Sequence, residues 1–153
     1  MVTAFVFKGA SLKILFMCVA NSARSQLAEG LANSMLGTGY EIQSAGSEPS
    51  GKVQEWAIQA LAESGIDASS YRSKAITDLP KDFLAELDYV ITLCHEEVCP
   101  VLPTRAKRLQ WPTPDPAPVP EWDKPAAFRR ARDEIKKRIQ KFQQQQEEEG
   151  TAR

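Results

Sequence analysis

Runs of apolar residues and their spacing divide this chain into alternating strands and helices. Leu12 to Met17 is a short apolar run of the kind a fully buried parallel strand shows, and it is taken as the first strand. Ser25 to Leu36 carries Leu27, Leu31, Met35 and Leu36 at helical spacing with small residues between them, and Gly37 and Gly39 follow as stop signals. Tyr40 to Ser44 alternates as a second strand. Val53 to Ser64 returns to helical spacing and stops at Gly65. A weaker helical segment, Lys81 to Leu87, precedes Tyr89 to Leu93, whose β-branched and aromatic residues suit another buried strand. A fourth short strand is expected over Arg108 to Trp111.

Between Pro100 and Pro125 lie eight of the ten prolines, which excludes helix through most of that stretch and implies a stiff surface loop. Asp123 to Gln145 then has Phe128, Ala131, Ile135, Ile139 and Phe142 on one side and basic residues on the other. A packing helix with a solvated charged face accounts for it better than a membrane-surface helix. The Gln143 to Glu149 run is low in complexity. It sets the expected organisation: one domain over residues 1–142 and a disordered Gln/Glu-rich tail over 143–153. The strand and helix order predicts a single flavodoxin-like, three-layer α/β domain with a four-stranded parallel sheet. Such folds bind ligands beyond the carboxyl ends of their strands.

Composition agrees with one compact domain. The 153 residues are 42% hydrophobic and 25% charged, enough to bury roughly 70% of the unfolded surface without disulfides or a metal. With 19 Lys and Arg against 20 Asp and Glu, the formal charge is -1. This balance argues against a nucleic-acid partner or an acidic membrane, so any bound anion must be met locally. Met1 to Ala20 makes a poor signal peptide, since Lys8 and Lys13 interrupt its apolar runs, and Met17 is too large for a lipoprotein cleavage site before Cys18. No stretch approaches the ~18–20 apolar residues of a membrane span. The cytoplasm is therefore the expected compartment, with Cys18, Cys94 and Cys99 mostly reduced and any disulfide among them transient.

The turn after the first strand carries the strongest chemical signal. It runs Cys18-Val19-Ala20-Asn21-Ser22-Ala23-Arg24-Ser25, a cysteine followed after five residues by Arg-Ser. Such a loop can wrap its backbone N–H groups around a tetrahedral oxyanion, with the helix N-terminus adding partial positive charge. Arg24 would supply a fork of donors to two anion oxygens. The same field favours the thiolate of Cys18, the form that acts as nucleophile, and the hydroxyl of Ser25 or Ser22 is placed to donate to it. A small buried hydrophobe at a strand end would also explain Cys18. The buried strand before and the amphipathic helix after favour the functional reading.

Together the loop, the βαβα order and the segment Trp111-Pro112-Thr113-Pro114-Asp115-Pro116-Ala117 resemble the low-molecular-weight protein tyrosine phosphatase superfamily, and within it the thiol-dependent arsenate reductases. The resemblance covers roughly Leu12 to Ile139. It implies Cys18 as nucleophile, Arg24 as oxyanion binder, Asn21 as a loop-shaping residue, Ser25 as thiolate stabiliser and Asp115 as general acid. Val19 to Arg24 would form the substrate cradle, and no cofactor is implied. A proton donor at Asp115 makes chemical sense, because a leaving oxygen needs a proton.

Phosphate-ester hydrolysis needs only Cys18, Arg24 and Asp115. Cys94 and Cys99, in Thr92-Leu93-Cys94-His95-Glu96-Glu97-Val98-Cys99-Pro100, resemble the redox segment of the thioredoxin-coupled reductases. That likeness implies a relay in which arsenate forms an adduct on Cys18, Cys94 releases arsenite as a Cys18–Cys94 disulfide, and Cys99 moves the disulfide to Cys94–Cys99 for an external dithiol. A regular helix would separate Cys94 and Cys99 by roughly 7.5 Å, beyond the ~7 Å limit for bridged Cα atoms, so the segment must refold or be irregular. Family members usually place more residues between these cysteines. A hybrid route through glutathione and glutaredoxin therefore stays open beside thioredoxin.

Other readings compete. Cys94 and Cys99 would also fit as inert residues at a strand end, and His95 as an exposed loop residue. Zinc on Cys18, Cys94, Cys99 and His95 is disfavoured by the adjacent Arg24, so no metal is expected. Ala117 and Pro118 follow Asp115-Pro116 where the resembling tyrosine phosphatases have paired tyrosines, which weakens a phosphotyrosine substrate. Some reductases of the group hold potassium at Asn21-, Glu29- and Ser44-like positions with an acid downstream. Lys74 stands near that last place, and its ammonium is expected to replace the ion. An arsenate reductase, with phosphate as competing oxyanion, is the leading expectation. A low-molecular-weight phosphatase acting on phosphomonoesters and a non-catalytic oxyanion-binding module are the alternatives.

Overall fold

The computed structural model describes residues 11–151 apart from Glu96, Val98 and Pro100. The first ten residues of the Met1 to Ala20 segment weighed as a signal peptide, and the last two residues of the expected tail, lie outside the described residues. Four parallel strands, β1 (Leu12–Cys18), β2 (Tyr40–Gly46), β3 (Tyr89–Thr92) and β4 (Lys107–Gln110), stand in the order β2-β1-β3-β4. Helices α1 (Arg24–Leu36), α2 (Glu55–Glu63), α3 (Lys81–Ala85) and α4 (Lys124–Thr151) connect and cover them.

The period-2 alternation of β1 decides the layering. Ile14, Phe16 and Cys18 face a large core with Leu27 and Leu31 of α1, Leu61 of α2, and Phe128, Ile135 and Ile139 of α4. Leu15 and Met17 face a smaller one with Leu79, Phe83 and Leu87. Both faces of β1 are thus buried, which is why it reads as an apolar run rather than an alternation. The expected three-layer α/β fold with a four-stranded parallel sheet is the fold observed.

This strand order creates a switch point. From β1 the chain crosses to β2 on one side and later returns through β3 on the other, opening a crevice at the carboxyl ends of β1 and β3. Register sets Met17 opposite Thr92 and Cys18 opposite Gly46. The loops after Cys18 and after Thr92 therefore leave the sheet side by side.

Several boundaries differ from the sequence expectation. Helix α3 ends at Ala85, and β4 starts at Lys107 and ends at Gln110, one residue earlier at each end than expected. Helix α4 runs on to Thr151, through the Gln/Glu-rich run for which the sequence suggests disorder. Phe142 packs edge-on to Tyr89 with ring centroids 5.0 Å apart. One turn further on, Gln143 Nε2 donates to Met35 O at 3.2 Å and Gln146 Nε2 to Tyr89 Oη at 2.9 Å. Glutamine and glutamate are good helix formers, and these anchors let α4 continue past its apolar stripe. Among the described residues no helix is long and apolar enough to cross a membrane.

Candidate active site

The loop from Cys18 to Arg24 owes its shape to where its carbonyls go. Val19 O accepts from Glu48 N (2.9 Å), Ala20 O from Ser50 N (3.0 Å) and Ser73 Oγ (3.0 Å), and Asn21 O from Gln26 Nε2 (3.1 Å). Ser22 O accepts from Gln54 N and Ala23 O from Leu27 N, both at 2.9 Å. Five consecutive carbonyls are thus held by partners outside the loop. Because each peptide plane sets its C=O opposite the next N–H, the N–H groups of Ala20 to Arg24 turn the other way. One of them, Asn21 N, donates to Cys18 Sγ at 3.3 Å. The result is a concave nest of donors at the N-terminus of α1, the electrostatic pattern that suits a tetrahedral oxyanion.

Asn21 holds the nest in place. Its φ of 50° lies in the left-handed region, which asparagine tolerates better than most residues. Its amide is fully used: Nδ2 donates to Ser25 Oγ (2.7 Å) and Ser44 Oγ (3.0 Å), and Oδ1 accepts from Gln26 Nε2 (3.0 Å) and Lys74 N (2.8 Å). Since Ser25 Oγ already accepts that amide N–H, its own proton is free to point at Cys18 Sγ, 2.9 Å away. Of the two serines expected to reach the sulfur, Ser25 does so. Ser44 Oγ in turn donates to Glu29 Oε1, which lies 3.4 Å from Lys74 Nζ. A chain of hydrogen bonds therefore runs from the Lys74–Glu29 pair through Ser44, Asn21 and Ser25 to the sulfur.

Gly46, opposite Cys18, is where β2 presses on the loop. A Cβ built there would lie 2.3 Å from Val19 O and 3.0 Å from Asn21 N. Only glycine fits between two backbones this close.

Arg24 is buried, with 5% of its side chain exposed. Nη1 donates to Leu93 O (3.2 Å) and Thr113 O (3.0 Å), joining the loops after β3 and β4 to the nest. Nη2 pairs with the Glu97 carboxylate and lies 3.7 Å from Asp115 Oδ2. Burial opposes the guanidinium charge, but the Glu97 hydrogen bond and the Asp115 and Cys18 charges outweigh it and raise its affinity for the proton. The Arg24 hydrogen bond, opposed by partial desolvation and aided by the N–H of His95, holds the Glu97 carboxyl at about 2.

Asp115 sits at the mouth of the site, its Oδ1 accepting from Ala117 N at 3.0 Å. Cys94 and Cys99 are joined by a disulfide with Cα atoms 5.5 Å apart, and His95 and Glu97, the described residues between them, lie outside helix and strand. Cys18 carries the free thiol and is buried. Cys94 directly follows Leu93, whose carbonyl accepts from Arg24, so the disulfide begins one residue after a contact of the Arg24 side chain. His95 is exposed. Among the described residues no three His, Cys, Asp or Glu side chains converge as a metal site.

The sequence profile of the low molecular weight phosphotyrosine protein phosphatases matches residues 13–152, nearly the whole chain. The chain belongs to this family. Within it, an arsenate reductase of Staphylococcus aureus is 44% identical over 131 residues, covering 84% of this chain and 94% of that protein. Among solved structures, an arsenate reductase of Archaeoglobus fulgidus superposes with a TM-score of 0.70 at 32% identity, covering 85% of this chain and 98% of the other. A thioredoxin-dependent arsenate reductase of Corynebacterium glutamicum gives a TM-score of 0.69 at 28% identity over 90% of this chain and 63% of the other. The family's expected cysteine, arginine and aspartate thus meet here at one crevice. Sequence reasoning missed Glu97, Gly46 and the Thr113 carbonyl. Position 97 between two cysteines was the one available hint, and the other two depend on contacts between distant segments.

Proposed function

We propose that this protein is an arsenate reductase that works through a three-cysteine relay. The observation that carries the reading is the Cys94–Cys99 disulfide, which begins one residue after the Leu93 carbonyl that Arg24 holds, because ester hydrolysis has no use for it. Arsenate enters the nest with its oxygens toward the loop N–H groups and Arg24. The Cys18 thiolate, stabilised by Ser25 Oγ and Asn21 N, attacks arsenic, and the departing oxygen leaves as water after taking a proton from Asp115. The Cys94 thiolate then attacks Cys18 Sγ. The sulfur–arsenic bond breaks with its electron pair passing to arsenic, so As(V) becomes As(III), arsenite departs, and a Cys18–Cys94 disulfide forms. Cys99 attacks Cys94, Cys18 leaves as thiolate, and the Cys94–Cys99 pair results. An external dithiol accepts that disulfide and restores the reduced chain. A thioredoxin-type protein is the proposed reductant, by likeness to the thioredoxin-dependent neighbour, and a reducing compartment such as the cytoplasm suits the cycle.

The test is a single turnover. Fully reduced protein is mixed with arsenate without external thiol, arsenite is counted and disulfides are mapped by peptide mass. One arsenite per chain with a Cys94–Cys99 bond is the expected outcome. A product stalled at Cys18–Cys94 points to glutathione and glutaredoxin as reductants, and no arsenite with retained ester hydrolysis transfers the assignment to a phosphatase.

A further inference from the structure

The guanidinium of Arg24 that should meet an incoming anion is already taken. Nη1 donates to two backbone carbonyls, Leu93 O and Thr113 O, and also reaches Glu97 Oε1 at 3.4 Å, while the other Glu97 oxygen sits on Nη2, so the carboxylate spans both terminal nitrogens of the guanidinium. Glu97 comes from the six-residue ring that the Cys94–Cys99 disulfide closes. Its Oε1 also accepts from His95 N at 3.0 Å, and only 33% of the side chain is exposed. A carboxylate tethered on so short a ring has a high effective concentration at the guanidinium. Opening the disulfide lengthens the tether's freedom and raises the entropy cost of placing Glu97 there.

We propose that Glu97 is an internal stand-in for the oxyanion, occupying Arg24 when Cys94 and Cys99 are bonded and yielding it to substrate when they are reduced. The assignment rests on the disulfide being the end point of the relay above. With Glu97 spanning both terminal nitrogens of the guanidinium, an incoming oxyanion must compete with a tethered carboxylate for Arg24, so the oxidised chain takes up phosphate or arsenate poorly. Spent enzyme then does not hold substrate that it cannot turn over. The depressed Glu97 carboxyl keeps it ionised, and able to compete, throughout the physiological range.

Thermodynamic reciprocity supplies a second consequence. If oxidation weakens oxyanion binding, a bound oxyanion must make the disulfide easier to reduce by the same factor. At saturating phosphate a tenfold preference for the reduced chain raises the two-electron potential by about 30 mV.

The test uses inorganic phosphate and the full chain. Affinity is measured by calorimetry for the oxidised and reduced forms of the unaltered protein and of Glu97→Gln, and the disulfide potential is titrated with and without phosphate. The expected result is oxidised protein binding phosphate at least about tenfold more weakly than reduced, with Glu97→Gln closing most of that gap and removing the phosphate-dependent potential shift. Equal affinities in the two forms, or a gap and a shift that survive Glu97→Gln, overturn the proposal. A Glu97→Ala variant, checked by its melting curve, guards against a glutamine that keeps the contact as a neutral hydrogen bond. Phosphate binding needs no arsenite release, so a chain that fails the single-turnover test but shows the gap refutes the reductase and leaves the stand-in role intact.

Discussion

The nest from Cys18 to Arg24 and the segment from Cys94 to Cys99 serve one site with opposite constructions. In the nest every carbonyl from Val19 to Ala23 has a partner, Asn21, Ser22 and Ser25 are buried, and Gly46 seals the outside. In the second segment His95 is exposed, and Val101 just beyond it is 78% exposed. The contrast follows from their tasks. An oxyanion is recognised best by donors that need no rearrangement when charge develops, whereas a disulfide relay requires one sulfur to reach two different partners. Glu97–Arg24 is the contact by which the mobile task reports to the rigid one.

Cys18→Ser should have the largest effect, abolishing both arsenite release and phosphate-ester hydrolysis, as assayed on the two substrates, while the melting curve stays close to that of the parent. Cys94→Ser should separate the two regions, ending arsenite release yet sparing ester hydrolysis. If both activities fell together, the second segment would be part of the nest and the comparison would fail. Asp115→Asn removes the proton donor and should lower kcat for ester hydrolysis by about 10²-fold with KM little changed, read from steady-state kinetics. Gly46→Ala drives a methyl group into the Val19 carbonyl. Phosphate affinity should fall and stability drop by ~1–3 kcal/mol in urea unfolding, because the nest, unlike the relay segment, has no room to adjust.

The smallest effect belongs to the remote clamp between α2 and α4. Hydrogen bonds from Arg129 and Arg132 hold the Glu63 carboxyl down to about 2 from its ordinary 4.5. A carboxyl lowered in the folded state contributes stability that is complete above pH 4.5 and is lost as the pH falls toward 2. Glu63→Gln should therefore lower the melting temperature slightly at pH 6, with the difference from the parent shrinking to nothing by pH 2. As the pair is exposed, the shift should be small.

Legibility followed sequence distance. The nest could be read because Cys18, Asn21, Arg24 and Ser25 all lie in one short strand-to-helix turn, where local geometry dictates what each side chain faces. The strands were legible for the same reason, since a buried parallel strand is an apolar run. The anchors of the tail could not be read from its composition, since Gln143 and Gln146 find partners on Met35 and Tyr89, 108 and 57 residues away. Glu97 was passed over as one of two loop glutamates, for nothing near it in the chain reveals a guanidinium 73 residues back.

By itself the sequence determined the α/β order, the anion-binding turn, the candidate nucleophile and the presence of two further cysteines, because each is written in neighbouring residues or in a repeating spacing. Only the tertiary structure decided which strand ends meet at the crevice, which serine faces Cys18, why position 46 must be glycine, and which anion occupies Arg24. Those outcomes depend on strand order and on hydrogen bonds between segments far apart in the chain, and local periodicity carries no record of them.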